Sequence, residues 1–387
     1  MSEEIKEKSG IRMPSCDKLI VSSSPHIQSR SSVAGIMFKV IIALVPAMAA
    51  SVYFFGFAAL KLLVLTAFFC VAAEALWCMI AGKSVKTAIF DGSAVVSGLI
   101  LAMNFSPATP WYVCLIGAFL AIWLGKQVFG GIGYNPFNPA IVARVALLIA
   151  LPGLMTIWVP TTKMVETAQH GISQNEAYSR TFFSAADWRK LQDSVGKNAS
   201  VDVVTCATPL SMVSEIPKNT DIGAKNVFSH IDNRTAWKNY FLGNVSGSLG
   251  ETSTLAIIVG CFLLIIWKLI NWRVPVFFVG TVFVFTGMIN FFYPGITPSP
   301  VFHVLTGGLM LGAVFMATDM VTSPVTNRGS ALFGVGCGLI TSVIRIWGNY
   351  PEGVSFAILF MNALVPFIDK MFIRLPFGTP KKQGAGK

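Results

Sequence analysis

Charged residues are scarce in this chain of 387 residues: Asp, Glu, Lys and Arg make up 12% against 54% hydrophobic. Soluble domains carry roughly 25% charged residues, so this composition cannot coat a water-soluble particle of this size. The seven cysteines form no CxxC pair, and Cys70, Cys78, Cys114, Cys261 and Cys337 sit inside apolar runs. That excludes a disulfide framework and the usual iron–sulfur and zinc spacings. Four scattered histidines, His26, His170, His230 and His303, offer no haem ligand set. Residues 1–34 lack an apolar signal-peptide core, so no cleaved leader is expected and the first helix is read as the insertion signal. The net charge of +11 is spread between apolar runs and not clustered with exposed aromatics, so nucleic acid is not the expected partner; the lipid bilayer is.

What is present is long hydrophobic segments. A spanning helix needs about 20 largely apolar residues. Candidates fall near 35–56, 58–80, 89–105, 110–128, 138–158, 252–270, 274–293, 301–318, 330–348 and 353–373. The expected fold is an all-α polytopic membrane protein of about ten helices, with a five-helix repeat at 35–158, a polar loop at 159–250, a second repeat at 251–373 and a basic tail at 374–387. The third and eighth segments, DGSAVVSGLILAMN and LTGGLMLGAVFMATD, are short and rich in small residues, which predicts broken or closely packed helices.

Lys and Arg set the orientation. They concentrate before the first helix, at Lys83 and Lys86, at Lys126, Lys268, Arg273 and Arg328, and after the last helix; Lys61, Lys163 and Arg345 are exceptions. The bias predicts cytoplasmic termini and an extracytoplasmic 159–250 loop. The halves also share an order of Gly, Asn/Asp, Pro and Tyr: residues 97–122 run beside 311–340, and 133–149 beside 348–364. An odd helix number per half makes such repeats inverted, and inverted repeats place a site where broken helices meet.

Several segments could carry chemistry. DVVTCATP (202–209) offers a carboxylate and hydroxyls in an apolar setting, which by itself is a turn. GNVSGSLGETSTLA (243–256) precedes the sixth helix; Ser248 and Glu251 fit a capping box, and the helix start could also receive an anion. In GGIGYNPFNPA (130–140), two prolines break regular structure while Asn135 and Asn138 can satisfy the freed backbone or a ligand carbonyl; Phe129, Tyr134 and Phe137 are stacking or interface-belt residues. Glu74, Asp91, Arg144, Asp319 and Asp369 are ionisable residues in apolar segments, hence functional candidates by default. Asp319, followed by Thr322, Ser323 and Thr326, offers hard oxygens suited to Na⁺. Ion pairing is the alternative, Asp319 with Arg328 and Glu74 with Arg144.

With FGGIGYNPFNPA (129–140), DVVTCATPL (202–210), GNVSGSLGETSTLA (243–256), MATDMVTSPVTNRG (316–329) and GNYPEGVSFA (348–357) in this order, the chain resembles one family of membrane proteins, RnfD/NqrB, from about Ser22 to Ile368. That family joins the RnfD component of the Rnf ion-translocating ferredoxin:NAD oxidoreductase to the NqrB component of the sodium-translocating NADH:quinone reductase. The short N-terminal segment points to the Rnf branch; the quinone-reductase branch is the near alternative. The resemblance implies FMN attached through its phosphate to Thr208, with Asp202 and Thr205 in the sequence read by a flavin transferase; Cys206 stands where a small or polar residue is common. It implies a second, noncovalent flavin (riboflavin in the relatives), expected near Gly133, Asn135 and Asn138, with Ser248, Glu251 and Thr252 as further flavin contacts and Asp319 on an ion path. It further implies a bacterial inner-membrane complex, a covalent-FMN subunit among the partners, and electron transfer coupled to Na⁺ or H⁺ movement. Lacking a nicotinamide fold and iron–sulfur ligands, the chain is not expected to be a complete enzyme. A solute channel or transporter is the competing class that the helix count leaves open.

Overall fold

The computed structural model describes residues 32–161, 208–215, 228, 231–348, 350 and 352–372. Expectations for Asp202, Thr205 and Cys206, for the N-terminal segment before residue 32 and for the basic tail lie outside these residues. Every regular element among the described residues is helical.

Helix α1 (Val33–Phe55) is followed after Gly56 by α2 (Phe57–Ile80). The expected third segment is two helices. Ser84 caps α3 (Val85–Phe90) through the Thr87 N–H. The Asp91 carboxylate then takes the Ser93 N–H at 2.8 Å and its hydroxyl at 2.6 Å, which starts α4 (Ser93–Met103). A side-chain acceptor at a helix start satisfies donors that have no intrahelical partner, so Asp91 has a local structural role. Helix α5 is regular over Trp111–Phe119 and widens into a π-helix over Leu120–Gln127. Helix α6 (Pro139–Ala150) opens with proline in its first turn and the Asn138 side chain as its cap.

The polar connection contributes α7 (Pro209–Glu215) and α8 (Arg234–Leu242). Beyond it lie α9 (Thr254–Ile266) and α10 (Arg273–Phe292). The eighth expected segment is also interrupted. Helix α11 (Pro300–Leu305) stops before Gly307, and α12 begins at Leu309–Leu311 and continues as a π turn over Gly312–Met316. Helices α13 (Asn327–Trp347) and α14 (Val354–Met371) complete the chain's described part.

Among the described residues five helices, α1, α2, α10, α13 and α14, have the length and apolar character of membrane spans. α4, α5, α6 and α9 are apolar but shorter. The eleven residues of α4 rise roughly 17 Å, about half of a hydrocarbon core of roughly 30 Å. This is the main departure from ten uniform spans: the glycine-rich segments do not run through. The long helices expose large apolar side chains, including Val64 and Phe68 on α2, Val284 and Phe291 on α10, and Phe360 on α14. Such continuous apolar faces suit lipid tails, and the chain is a multi-pass membrane protein.

The interrupted helices meet in the interior. Met103 and Phe105 at the end of α4 share one buried cluster with Leu249, Leu309, Leu311 and Phe315. Part of the core therefore lies where helices end, and helix ends carry unpaired backbone groups. Their satisfaction organises the sites described next.

Candidate functional site

Thr208 caps α7. Its Oγ1 accepts the Ser211 N–H at 3.1 Å and donates its own hydrogen to Ser211 Oγ at the same distance. Thr-Pro suits a helix start, because Pro209 lacks the N–H that would otherwise be unpaired there. The residue is buried. Leu210 anchors the short helix in a cluster with Ile231, Tyr240 and Phe302. The Asp232 carboxylate joins the α8 region to α11: it accepts the Ser299 N–H at 2.7 Å, the Ser299 hydroxyl at 2.6 Å and the Trp237 indole N–H at 2.7 Å. Tyr240 donates its hydroxyl to the Ile231 carbonyl at 2.9 Å; burial, with the Asp232 charge adding to it, pushes its phenol up to about 12.

The segment 246–254 turns inward. Ser246, Ser248, Leu249, Glu251, Thr252, Ser253 and Thr254 are all buried. The Leu249 N–H donates to the Phe105 carbonyl at 3.0 Å, and the Ser51 hydroxyl donates to the Leu249 carbonyl at 2.6 Å. Gly250 is required by space: a Cβ there would lie 2.8 Å from the Met103 carbonyl oxygen and 2.5 Å from Leu311 Cδ2. The expected capping box does not form. Ser248 makes no capping bond, and α9 starts three residues beyond Glu251 with Ser253 as its cap, its Oγ accepting the Ala256 N–H at 3.2 Å. Thr252 donates its hydroxyl to the Leu249 carbonyl at 3.0 Å. Glu251 is freed from capping and points into the interior, with Oε1 unpartnered.

The GYNPFNPA loop and Asp319 come together. A cleft of about 110 Å³ is lined by Ser93, Lys126, Asn135, Asn138, Thr318 and Asp319, with apolar walls from α1 and α9. It is smaller than the roughly 300–1,000 Å³ of typical small-molecule pockets. Asn138 caps α6 through Oδ1 and donates its amide to the Met316 carbonyl at 3.2 Å, closing the end of α12. Asn135 donates to the Phe137 carbonyl at 2.9 Å. Gly133, at φ +91°, shapes the loop but does not line the cleft. Phe129 and Phe137 line a separate apolar groove with Ile340 and Phe356, and Tyr134 is exposed, so these aromatics do not face the cleft. Ser248, Glu251 and Thr252 do not line it either.

The ion pairs differ from both expected ones. Glu74 pairs with Lys126, which also donates to Ser93 at 2.6 Å, while Gln127 donates to Glu74 at 2.8 Å. Lys126 is thus a buried partner and not a marker of the cytoplasmic face. Arg144 pairs with Glu352 and donates to the Asn104 carbonyl. Asp319 takes the Thr322 hydroxyl at 3.2 Å; Thr326 is spent on capping α13, and Asp369 accepts the Val325 N–H at 3.2 Å. Among the described residues no three His, Cys, Asp or Glu side chains converge as a metal site. Sequence reasoning passed over Glu352 and treated Arg345 only as an exception to the charge bias. That exception was a signal: Arg345 is buried and donates to the carbonyls of His303 at 2.6 Å and Thr306 at 3.2 Å, where α11 ends.

Thr208 as cap accepts the Ser211 N–H, a capacity an ester oxygen retains; the hydrogen it donates to Ser211 Oγ is the one bond that esterification removes. Nearby, a Cβ on Gly307 would lie 2.7 Å from Arg345 Nη2 and 3.2 Å from Leu210 Cδ2, so this glycine leaves a cradle between the guanidinium and the Thr208 helix. Arg345 Nε is buried without a partner. A free guanidinium N–H suits an anionic oxygen.

Comparison with known proteins places the chain in a family. The model of the NQR2, RnfD, RnfE family matches residues 20–378. The D component of the proton-translocating ferredoxin:NAD(+) oxidoreductase complex of Clostridium ljungdahlii is 38% identical over 360 residues, 93% of this chain and 96% of that protein. The D component of the ion-translocating oxidoreductase complex of Stutzerimonas stutzeri is 39% identical, over 88% of this chain and 91% of its own length. The D component of the Na(+)-translocating ferredoxin:NAD(+) oxidoreductase complex of Acetobacterium woodii is 37% identical, over 94% and 96%. The chain belongs to the NQR2, RnfD, RnfE family, on its RnfD side.

Proposed function

We propose that this chain is the flavin-bearing membrane subunit of an Rnf-type ferredoxin:NAD oxidoreductase complex, with FMN esterified to Thr208. The observation that carries this reading is the placement of Thr208: a buried cap residue, packed through Leu210 against the membrane core and next to the cradle at Gly307 and Arg345. A bound flavin supplies one-electron chemistry, which lets it pass electrons between a two-electron donor and one-electron carriers. The chain's own part is to fix the attachment point. Asp232 and Tyr240 hold the surrounding segment, and the α7 cap orients the Thr208 oxygen.

The cleft at Asn135, Asn138 and Asp319 is our candidate for the edge of the second flavin's site; at about 110 Å³ it must widen to take in the ring system. The Asn amides and the Lys126 ammonium supply donors for ring carbonyls, and Gly133 permits the loop's turn. Asp319 and Thr322 on the same cleft supply oxygens for the coupling cation. The charge bias supports cytoplasmic termini in a bacterial inner membrane, with the 159–250 loop outside. The matched element order of the two halves, each with two helices, an interrupted pair and two more helices, supports an inverted repeat. Partners on this reading are the other members of the complex, including one with its own covalent FMN, and a flavin transferase acting on the Asp202–Thr208 segment.

A denaturing gel of membranes from cells that hold the transferase, viewed under ultraviolet light, tests the assignment. A fluorescent band at this chain's size is expected, lost in Thr208→Ala. A dark wild-type band would contradict covalent flavin and return the solute-transport reading.

A further inference from the structure

Lys61 stands against the charge bias of the short connections, and the sites described above leave it unused. It lies in the second turn of α2, exposed, with Nζ 4.9 Å from the centre of the Phe57 ring. Helical side chains lean toward the N-terminal end, so the ammonium reaches back to the first turn of α2. A cation over an aromatic face is attracted by the ring quadrupole, which holds the charge in that place.

The same side of α2 forms a groove of about 570 Å³. Phe57, Leu60, Val64 and Phe68 line it at the three- and four-residue spacing of one helix face, and all four are exposed. Trp111, the first residue of α5, lines it from the other side. Further along that helix Trp123 donates its indole N–H to the Ala73 carbonyl at 2.9 Å, an offset of 50 residues that also separates Trp111 from Lys61. The two helices therefore run parallel, with Trp111 level with Lys61. Apart from these two residues the groove is lined by Phe, Leu and Val alone.

We propose that this groove holds one acyl chain of an acidic phospholipid, with the headgroup phosphate on Lys61. Three observations select that occupant. The cation sits at one end of an apolar groove, which complements an anion joined to a hydrocarbon chain. Trp111 lies at the same level, and tryptophan is enriched at headgroup depth, where its indole N–H stays wet and its rings stay dry. From Phe57 to Phe69 the α2 wall rises roughly 18 Å, little more than half of a hydrocarbon core of roughly 30 Å, so the groove has the depth of one leaflet. A partner's crossing helix would instead follow α2 along its full length. The groove at Phe129 and Phe137 has a wholly apolar lining and nothing to fix a headgroup. The lipid site stands whether or not Thr208 carries flavin.

Native mass spectrometry of the delipidated full chain, titrated with dioleoylphosphatidylglycerol or dioleoylphosphatidylcholine, tests this. The two lipids share their acyl chains and differ in net charge. The expected result is a first binding event several-fold tighter for phosphatidylglycerol. Lys61→Gln is expected to weaken that event about fivefold, the scale of one lysine near an anionic surface. Lys61→Arg should keep it, and phosphatidylcholine binding should be the same in both variants. Val64→Trp fills the groove from an exposed position and is expected to weaken both lipids. Equal binding of the two lipids by the wild type, or phosphatidylglycerol binding untouched by Lys61→Gln, would overturn the headgroup contact. Binding untouched by Val64→Trp would overturn the groove. A photo-crosslinker placed at Val64 in the assembled complex should give a lipid adduct; a protein adduct would overturn the choice of occupant. Thr208→Ala is expected to bind phosphatidylglycerol as the wild type does, which separates this inference from the flavin assignment.

Discussion

The two interrupted helices end at similar positions and are held by different chemistry. The last carbonyls of α4 are closed by a charge: Arg144 donates to Asn104, and its own charge is met by Glu352. Those of α12 are closed by a neutral amide, Asn138 to Met316. A neutral tie can stand alone. A buried guanidinium cannot, and it draws in a carboxylate, Glu352. The end of α4 is therefore closed by an ion pair, while the end of α12 opens on a cleft where Lys126 and Asp319 stand among uncharged polar residues. The break at Gly307 is closed by a second guanidinium, that of Arg345.

Breaking the charged tie is expected to have the largest effect. Arg144→Met leaves Glu352 without its buried partner and the Asn104 carbonyl without a donor, a loss of about 3–5 kcal/mol by analogy with other buried pairs. The readout is the thermal stability of the chain in detergent, and a change under about 1 kcal/mol, the scale of an exposed pair, would contradict the tie. Next, Gly250→Ala forces a methyl against Met103 and Leu311, expected to cost about 1–3 kcal/mol as an overpacked core does, visible as reduced chain in membranes. Asp232→Asn removes the charge from three hydrogen bonds that hold the segment near Thr208. A loss of about 1.5–3 kcal/mol is the scale for bonds to a charged group, read as faster proteolysis after residue 231 while the helical core stays resistant. The neutral tie ranks last: Asn138→Ala is expected to cost about 1–2 kcal/mol through the lost cap. If Asn138→Ala proved worse than Arg144→Met, the contrast between the two helix ends would be inverted.

The interruptions themselves were readable, because glycine and serine in short apolar segments have local consequences: Gly92 and Gly307 mark both breaks, each at positive φ. The all-helical, multi-pass class followed from composition for the same reason. The ion pairs were not readable. Glu74 and Lys126 are 52 residues apart, and Arg144 and Glu352 are 208 apart, so their partners are set by packing that no local pattern records. Glu251 shows the limit most sharply. Ser-x-x-Glu reads as a capping box, but Gly250 lets the turn enter the core, and the cap passes to Ser253. The grouping of Asn135, Asn138 and Asp319 on one cleft likewise needed the fold, although each residue stood out by type. The segment carrying Asp202 and Thr205 lies outside the described residues, so there the motif alone carries the reading.

The attachment of flavin to Thr208 is the centre of the account, and one measurement reaches it directly. Proteolytic peptides spanning Asp202–Glu215, from the complex purified out of cells that hold the transferase, should carry the mass of FMN less water on Thr208, and the Thr208→Ser variant should carry it on the serine. An unmodified wild-type peptide, or FMN found on another hydroxyl of the segment, would contradict it.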